Sequence, residues 1–223
     1  MLLVCLTAAV VAFAVGGIPF GFLVGHLILK DDIRRFGSGN IGATNVGRVL
    51  GWRWGIVVLV LDALKGLLPV LAVDEVLRTY GYLDPAGYCR LITGISAVVG
   101  HMYPIWLRLR GGKGVATALG VVMIVSPVCS SLAFLSFAVV LLLSRMVSLS
   151  SIVASLVFAI SHLVRTGAAA WTGTGLPLTL FSFVIPGLII WRHRTNIGRI
   201  LTGTENRLGA GKAAAKPSSP TST

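Results

Sequence analysis

Charged residues are scarce in this chain of 223 residues, and acidic residues are the scarcer kind. Lys and Arg number 19 and Asp and Glu 7; together they make up 12% of the chain, while 55% of the residues are hydrophobic. A soluble domain has too little interior to bury so much apolar surface, whereas a lipid bilayer accepts it. The composition excludes an ordinary soluble domain and predicts a single polytopic, all-α membrane domain.

Cysteine is nearly absent as well. Cys5, Cys89 and Cys129 lie in or beside apolar segments and have no metal-ligand spacing, so we expect them to pack as small apolar side chains without a disulfide framework. No basic residue precedes His26 and Lys30. The chain therefore lacks the basic start of a cleaved signal peptide, and its first apolar segment is expected to be retained.

The net charge of +12 does not indicate nucleic acid as a partner. A nucleic-acid surface needs clustered cations on a solvated face, and these cations are dispersed between long apolar runs. Anionic membrane lipids and phosphorylated substrates explain them better. No obligatory protein partner is implied.

Hydrophobic runs predict about seven transmembrane helices. The run Val115–Ser126 would cover only roughly 18 Å as a helix, against about 30 Å of hydrocarbon, so it is either a half-span or a tilted helix. Pro127 favours a break after it, and one long helix over Val115–Leu143, kinked at Pro127, is the alternative. The candidate spans are Leu2–Leu29, Trp54–Val73, Leu91–Leu107, Val115–Ser126, Val128–Leu143, Leu149–Val164 and Leu176–Trp191.

The distribution of cations favours seven spans. Fifteen of the 19 Lys and Arg residues then fall on one side, and the positive-inside rule predicts an N-terminus outside and a C-terminus inside. Residues 209–223 are of low complexity and are expected to form a disordered cytoplasmic tail behind a membrane domain over residues 1–208. The cation-rich segments are residues 30–53, 108–113, 145 and 192–216.

Residues 38–48, SGNIGATNVGR, are the first of three glycine-rich, cation-bearing segments at the ends of hydrophobic runs. Glycines permit the positive φ values with which backbone amides converge on an anion, and hydroxyl and amide side chains add donors. A solvated interfacial loop is the alternative, since Gly, Ser and Asn are common in loops. The candidate phosphate ligands are Gly39, Asn40, Gly42, Thr44 and Asn45, beside Ser38 and Arg48.

The second segment, Gly111–Gly114, directly precedes a predicted helix and contains Lys113. Amides at a helix N-terminus and a lysine together bind anions. The segment is not a Walker A loop, because that pattern needs glycine where the chain has Leu107 and Ser or Thr where it has Gly114. ATP is therefore disfavoured. Upstream, His101 lies in an apolar span, either as a buried hydrogen-bonded residue or as a functional one.

The third segment follows the last predicted span. His193 and Asn196 are three residues apart, and Arg199 and Glu205 follow. If the helix continues, the first two share a face and present an acid–base group beside a donor. The alternative is a basic stop-transfer end, which explains the flanking arginines, Arg192 among them, but does not require the other residues.

Together the three segments resemble one family closely, the bacterial acyl-phosphate:glycerol-3-phosphate acyltransferases, or PlsY family. The resemblance runs from the first span to about Arg207 and includes Asp62–Gly66 and Ser148–Ser151; one departure, Leu109-Arg110 in place of the common Phe-Lys, keeps the charge. It implies a seven-helix enzyme of the bacterial inner membrane with a site facing the cytoplasm. Such an enzyme moves an acyl group from acyl phosphate to glycerol 3-phosphate, forming lysophosphatidic acid and phosphate in phospholipid synthesis.

The resemblance also implies how the site residues act. The glycerol hydroxyl attacks the acyl carbonyl directly, with no protein nucleophile, a phosphate oxygen of the donor takes the proton, and two cations neutralise phosphate charge. Because the sequence shows no nucleotide-binding loop or metal-ligand spacing, we expect no cofactor and no metal ion. The implied catalytic residues are Ser38, Arg48, Lys113, His193 and Asn196. The resemblance also places Ser148 near this pocket as a candidate substrate-binding residue, with Asp62 and Lys65 behind it. The residues themselves make Gly111, Gly112, Gly114, Arg199 and Glu205 further candidates for substrate binding and His101 a candidate support behind the pocket.

Two other classes of protein are alternatives. A transporter or channel for a phosphorylated solute would use the intramembrane residues Asp62 and Lys65, which are otherwise a structural pair on one helix face. Transport, however, needs a midplane site, whereas the three segments gather at one face. Acyltransferases with a His-x4-Asp pair have a single match here, His26 to Asp31, which straddles the end of the first span.

Overall fold

The computed structural model describes residues 1–209, and within them every regular element is a helix, which confirms the all-α class. The predicted disordered tail lies, from residue 210 onward, outside the described residues. The α-helices are α1 (Leu2–Gly16), α2 (Phe20–Leu29), α3 (Ala43–Leu50), α4 (Trp52–Thr79), α5 (Tyr88–Met102), α6 (Val115–Val125), α7 (Pro127–Ser144), α8 (Val147–Thr166), α9 (Leu176–Arg192) and α10 (Arg194–Leu201). Short 3₁₀ turns lie at Ile33–Arg35, Ile105–Leu107, Gly167–Trp171 and Gly173–Gly175.

Five segments of this described part are long and apolar enough to cross a bilayer. Helix α5 has 15 residues and α6 has 11, so they are shorter than the roughly 20 residues that a crossing needs. The seven crossings predicted from the sequence therefore depend on these two short helices. The five long segments are Leu2–Leu29, Trp52–Thr79, Pro127–Ser144, Val147–Trp171 and Gly173–Arg192.

Prolines interrupt two of the predicted apolar runs. The run Leu2–Leu29 is two helices rather than one, because Pro19 has no amide hydrogen and the chain leaves the helix before it. The sequence analysis missed this break. The run after residue 114 likewise divides at Ser126, which has a φ of −148° directly before Pro127. Two separate helices, and not one kinked helix, occupy this region.

A disulfide connects the start of α1 to the start of α5. Cys5 and Cys89 are paired with their Cα atoms 4.8 Å apart, while Cys129 is free and buried. The prediction that all three cysteines only pack was therefore wrong. Further along the same two helices, an added Cβ on Gly100 would collide with the carbonyl of Phe13. The two helices run parallel and in close contact over their whole length.

Close backbone contacts also fix α6 between α4 and α5. On α5, Gly94 faces Val121 of α6, and Gly114 at the start of α6 packs against Met102 at the end of α5, so these two helices are antiparallel. A Cβ on Gly120 would collide with the carbonyl of Ala63 on α4. This packing returns the chain between α5 and α6 to the end of the bundle where α3 and α10 lie.

Candidate active site

The second and third glycine-rich segments meet through one hydrogen bond. Lys113 donates from Nζ to Oδ1 of Asn196 at 2.6 Å, and the same amide donates from Nδ2 to Oε1 of Glu205 at 2.7 Å. A cation on one side and an anion on the other fix the orientation of the Asn196 amide. The structure thus brings together three of the residues that the sequence predicts.

Glu205 accepts hydrogen bonds from three neighbours, and its side chain is only 5% exposed. Ser148 donates from its hydroxyl at 2.7 Å and Arg199 from Nε at 2.7 Å, in addition to Asn196. Burial would raise the pKa of Glu205, but these hydrogen bonds outweigh it and hold the pKa below its usual range. In this arrangement the ionised carboxylate is a counter-ion for the neighbouring cations, and the predicted contact of Glu205 with substrate stays a prediction.

Arg48, on α3, brings the first segment into the same electrostatic field. Its side chain is partly buried, which lowers its pKa, and the charges of Glu205 and Arg199 act on it in opposite senses. Among residues 1–209 no hydrogen bond engages its guanidinium, so all five of its N–H donors are free for a ligand.

Asn45 organises the loop that precedes α3. Its Oδ1 accepts from the amide and hydroxyl of Ser38 at 2.7 and 3.1 Å, and its Nδ2 donates to the carbonyls of Phe36 and Asn40. Asn40 in turn accepts from the amide of Gly42 at 2.8 Å. Both asparagine side chains, predicted as phosphate ligands, are thus engaged in holding the loop.

The remaining predicted ligands of the first segment are arranged around that loop. Gly39 has a φ of +70°, which glycine adopts readily, and Thr44 stands in the first turn of α3. Among the described residues, no hydrogen bond joins either of them, or Ser38, to the network around Glu205. Their place beside a substrate remains a prediction.

The two glycines before Lys113 do not offer their amides to a ligand. The amide of Gly111 donates to the carbonyl of Met102, and that of Gly112 to the carbonyl of His101. Any contact of these two glycines with phosphate would therefore not use their amides, and their place in substrate binding stays a prediction. The amides free of intrahelical partners are those of the first turn of α6, which begins after Gly114 with its φ of +80°.

Arg192 is the residue that the sequence analysis missed. It donates to the carbonyls of Gly111 and Gly112 at 2.8 to 3.1 Å. The sequence offers no signal that separates it from Arg194, two residues further on. That arginine is exposed, donates to the Trp191 carbonyl and lies over the Trp191 ring. Both look like the basic end of a membrane helix.

His193 is 2% exposed and its ring is oriented by the backbone. Its Nδ1 lies 2.8 Å from the carbonyl of Ile189 and must donate to it, because a carbonyl only accepts. Burial, and next the charge of Lys113, lower the pKa of His193 to about 4. The ring is therefore neutral near pH 7, and its Nε2 is a hydrogen-bond acceptor.

Behind the site lies a buried ionic cluster. Lys65 forms an ion pair with Asp62, with 2.8 Å between Nζ and Oδ1. Its ammonium also donates at 2.6 Å to the carbonyl of Ile18, which lies in the break between α1 and α2 and accepts from the amide of Phe20 as well. His101 lies 3.7 Å from the same carboxylate oxygen, and its ring abuts the backbone of Gly112. The cluster thus fastens the helix break to α4 and underlies the loop that carries Lys113. No group of three His, Cys, Asp or Glu side chains in the described chain could hold a metal ion.

Comparisons with known proteins agree on one family. Residues 6–203 match the family model described as glycerol-3-phosphate acyltransferase. The protein of that name from Myxococcus xanthus is 41% identical over 91% of this chain and 100% of its own length. The one from Aquifex aeolicus is 43% identical over 88% of this chain and 95% of its own length.

Two solved structures have the same fold. One is a crystal structure of PlsY, an integral membrane glycerol 3-phosphate acyltransferase, in its glycerol 3-phosphate form, with a TM-score of 0.81 and 40% identity over 92% of this chain and 96% of that chain. The other is the lysophosphatidic acid form, with a TM-score of 0.78 and 40% identity over 92% and 95%.

The charge of Lys113 should be lost in mildly alkaline solution. Burial lowers the pKa of Lys113 to about 8, with Arg199, Arg192 and Arg48 lowering it further and Glu205 opposing them. The ammonium is present below that pH, so affinity for a phosphate ligand should decline as the pH rises through about 8.

Trace labelling with acetic anhydride, followed by mass spectrometry, measures this directly, because only the neutral amine reacts. Labelling of Lys113 with a midpoint near its ordinary value of 10.5 would contradict the prediction. A Lys113→Arg variant stays charged throughout and should bind phosphate without the alkaline decline.

Proposed function

The chain belongs to the glycerol-3-phosphate acyltransferase family, and from that premise we propose that it transfers a fatty acyl group from acyl phosphate to glycerol 3-phosphate. The bond from the acyl carbonyl to the phosphate oxygen breaks, and an ester bond to the glycerol hydroxyl forms. The products are lysophosphatidic acid and inorganic phosphate. The observation that carries the proposal is the convergence of Arg48 and the Lys113–Asn196–Glu205 network at one end of the bundle.

The two cations suit this substrate pair. Acyl phosphate is a mixed anhydride with a good leaving group, so positioning and charge neutralisation supply much of the needed acceleration. Within residues 1–209 the guanidinium of Arg48 has no hydrogen-bond partner, and Lys113 donates to one neutral amide oxygen, that of Asn196. Both can therefore turn to a phosphate without breaking an ion pair.

His193 fits the acceptor side of the reaction. Its neutral Nε2 accepts a hydrogen bond from the attacking hydroxyl and orients it. A pKa of about 4 makes the ring a weak base, so the proton passes to the departing phosphate instead. The negative charge of bound phosphates would raise the pKa of His193. The ring would still orient the hydroxyl, and the departing phosphate would still take the proton.

A covalent serine intermediate has no support in this geometry. The hydroxyl of Ser38 donates to the amide oxygen of Asn45, which is not a base, so nothing activates it as a nucleophile. The transporter alternative also lacks support, because Asp62 and Lys65 are bound to each other and to a backbone carbonyl. Direct transfer between two bound substrates agrees with both observations.

We further propose that the chain crosses a bacterial inner membrane seven times, with the N-terminus outside and the site in the cytoplasm. The short, antiparallel helices α5 and α6 would supply the third and fourth crossings, within a membrane domain over residues 1–208. The disulfide Cys5–Cys89 lies at the opposite end of α5 from the cation-rich loop, and disulfides persist in oxidising compartments. A disulfide on the outer side and the cation-rich segments on the cytoplasmic side both support an N-terminus outside.

The donor can be identified with purified protein. Glycerol 3-phosphate is incubated separately with palmitoyl phosphate, palmitoyl-CoA and palmitoyl-acyl carrier protein, and lysophosphatidic acid is measured. We expect product with palmitoyl phosphate alone, in the absence of ATP and in the presence of EDTA. Product from either thioester would contradict the choice of donor.

Removing either cation should abolish most of the activity. Arg48→Ala and Lys113→Ala are each expected to lower kcat/KM by roughly a hundredfold or more, as when a group that stabilises transition-state charge is lost. Arg53→Ala is the matched control, because this arginine is exposed and lies over the Trp52 ring, with no hydrogen bond to the described residues of the site. Near-normal activity of Arg48→Ala, at equal membrane expression, would remove Arg48 from the site.

The orientation can be tested by cysteine labelling in intact cells. Cys5 and Cys89 are paired and do not react with thiol reagents, so only Cys129→Ala is needed as background. A membrane-impermeant reagent should label Leu83→Cys from outside and leave Thr202→Cys unlabelled until the cells are opened. External labelling of Thr202→Cys would overturn the orientation.

A further inference from the structure

Every backbone polar group of Gly111 and Gly112 is engaged. Their amides donate to the carbonyls of Met102 and His101 at the end of α5, at 3.2 and 3.1 Å. Their carbonyls face the other way and accept from Arg192 at the end of α9. The two glycines are therefore held between two helix ends.

The guanidinium of Arg192 suits this task in a way that lysine does not. Nη2 donates to Gly111 at 2.9 Å and to Gly112 at 2.8 Å, while Nε donates to Gly112 at 3.1 Å. The centre of the group lies 5.3 Å from the Tyr103 ring centroid, a further restraint on its plane. A planar, forked donor matches two neighbouring carbonyls, whereas an ammonium is a single point charge on a flexible stem.

We propose that Arg192 is a positioning residue, which holds the Gly111–Gly112 segment so that Lys113 faces the substrate phosphate. The inference rests on the proposed function of Lys113. Two adjacent glycines have wide conformational freedom, so without an external restraint Lys113 would begin from many backbone positions. Four residues after Arg192, Asn196 accepts a hydrogen bond from the Lys113 amine itself. The junction of α9 and α10 thus restrains both the backbone that precedes Lys113 and the end of the Lys113 side chain.

Arg194 provides a matched control for charge. It is exposed, stacks 5.1 Å from the Trp191 ring and donates to the Trp191 carbonyl at 3.3 Å. It carries the same charge as Arg192 on the same junction but has no contact with the glycine segment. A change of activity in Arg192 variants alone therefore reports on the hydrogen bonds rather than on net charge.

The kinetic test compares Arg192→Lys with Arg194→Lys. The first should lower kcat/KM for glycerol 3-phosphate about ten- to a hundredfold, the range expected when a catalytic group is displaced slightly, and the second should leave it unchanged. Adding guanidinium chloride at millimolar concentration should restore part of the activity of Arg192→Ala and none of that of Arg192→Lys. Equal kinetics for Arg192→Lys and the native protein would overturn the proposal.

Two further measurements separate positioning from general stability and from a failure of the proposed function. In a Lys113→Ala background, Arg192→Lys should cost less than twofold, because the residue acts through Lys113; a full additional loss would overturn the proposal.

Hydrogen exchange of the peptide covering residues 108–114 needs no activity at all. Exchange should be faster in Arg192→Ala than in Arg194→Ala and the native protein, while exchange in α4 stays unchanged. Unaltered protection of this peptide would overturn the positioning role of Arg192 even if the acyltransferase assay succeeds. Faster exchange in Arg192→Ala alone would support that role even if the assay fails.

Discussion

The hydrogen bond from Lys113 to Asn196 connects segments that are 83 residues apart, and the rest of the site is arranged around it. Asn196 transmits the contact to Glu205, whose carboxylate also gathers Ser148 and Arg199. One buried acid thus stands among several cations. An excess of positive charge remains at this end of the bundle, and in a region of low dielectric such an excess is a strong attraction for phosphate.

Close helix packing places Gly111 and Gly112 at this end of the bundle. Helices α4 and α6 approach until the backbone at Gly120 contacts the backbone of Ala63, which only glycine permits. The return of the chain between α5 and α6 then lies against the end of α9. The buried pair of Asp62 and Lys65 supports the same region from below by binding the carbonyl that the α1–α2 break exposes. Backbone groups left unpaired in a membrane domain are costly, and at this break the side chain of Lys65 supplies a donor.

Much of the fold was predictable from local signals. Composition alone required a helical membrane protein, and Pro127 marked the boundary between α6 and α7. The break at Pro19 carried the same signal and was missed, because the apolar run on both sides reads as one span. The family resemblance, which three short segments carry, anticipated the family that the comparisons show. These features depend on residue type and on neighbours along the chain, and a sequence displays both.

The sequence by itself determined the class, the chemistry and the identity of the cations, because these depend on which residues are present. Only the tertiary structure decided that the side chain of Asn45 and the amides of Gly111 and Gly112 form hydrogen bonds within the protein that hold their loops. It also decided that Cys5 pairs with Cys89. Finally, it decided that Arg192 contacts the glycine segment of the site whereas Arg194 donates to Trp191. Each of these outcomes depends on which helix ends meet in space. Helix directions and close approaches fix those distances, and neighbouring letters in the sequence do not encode them.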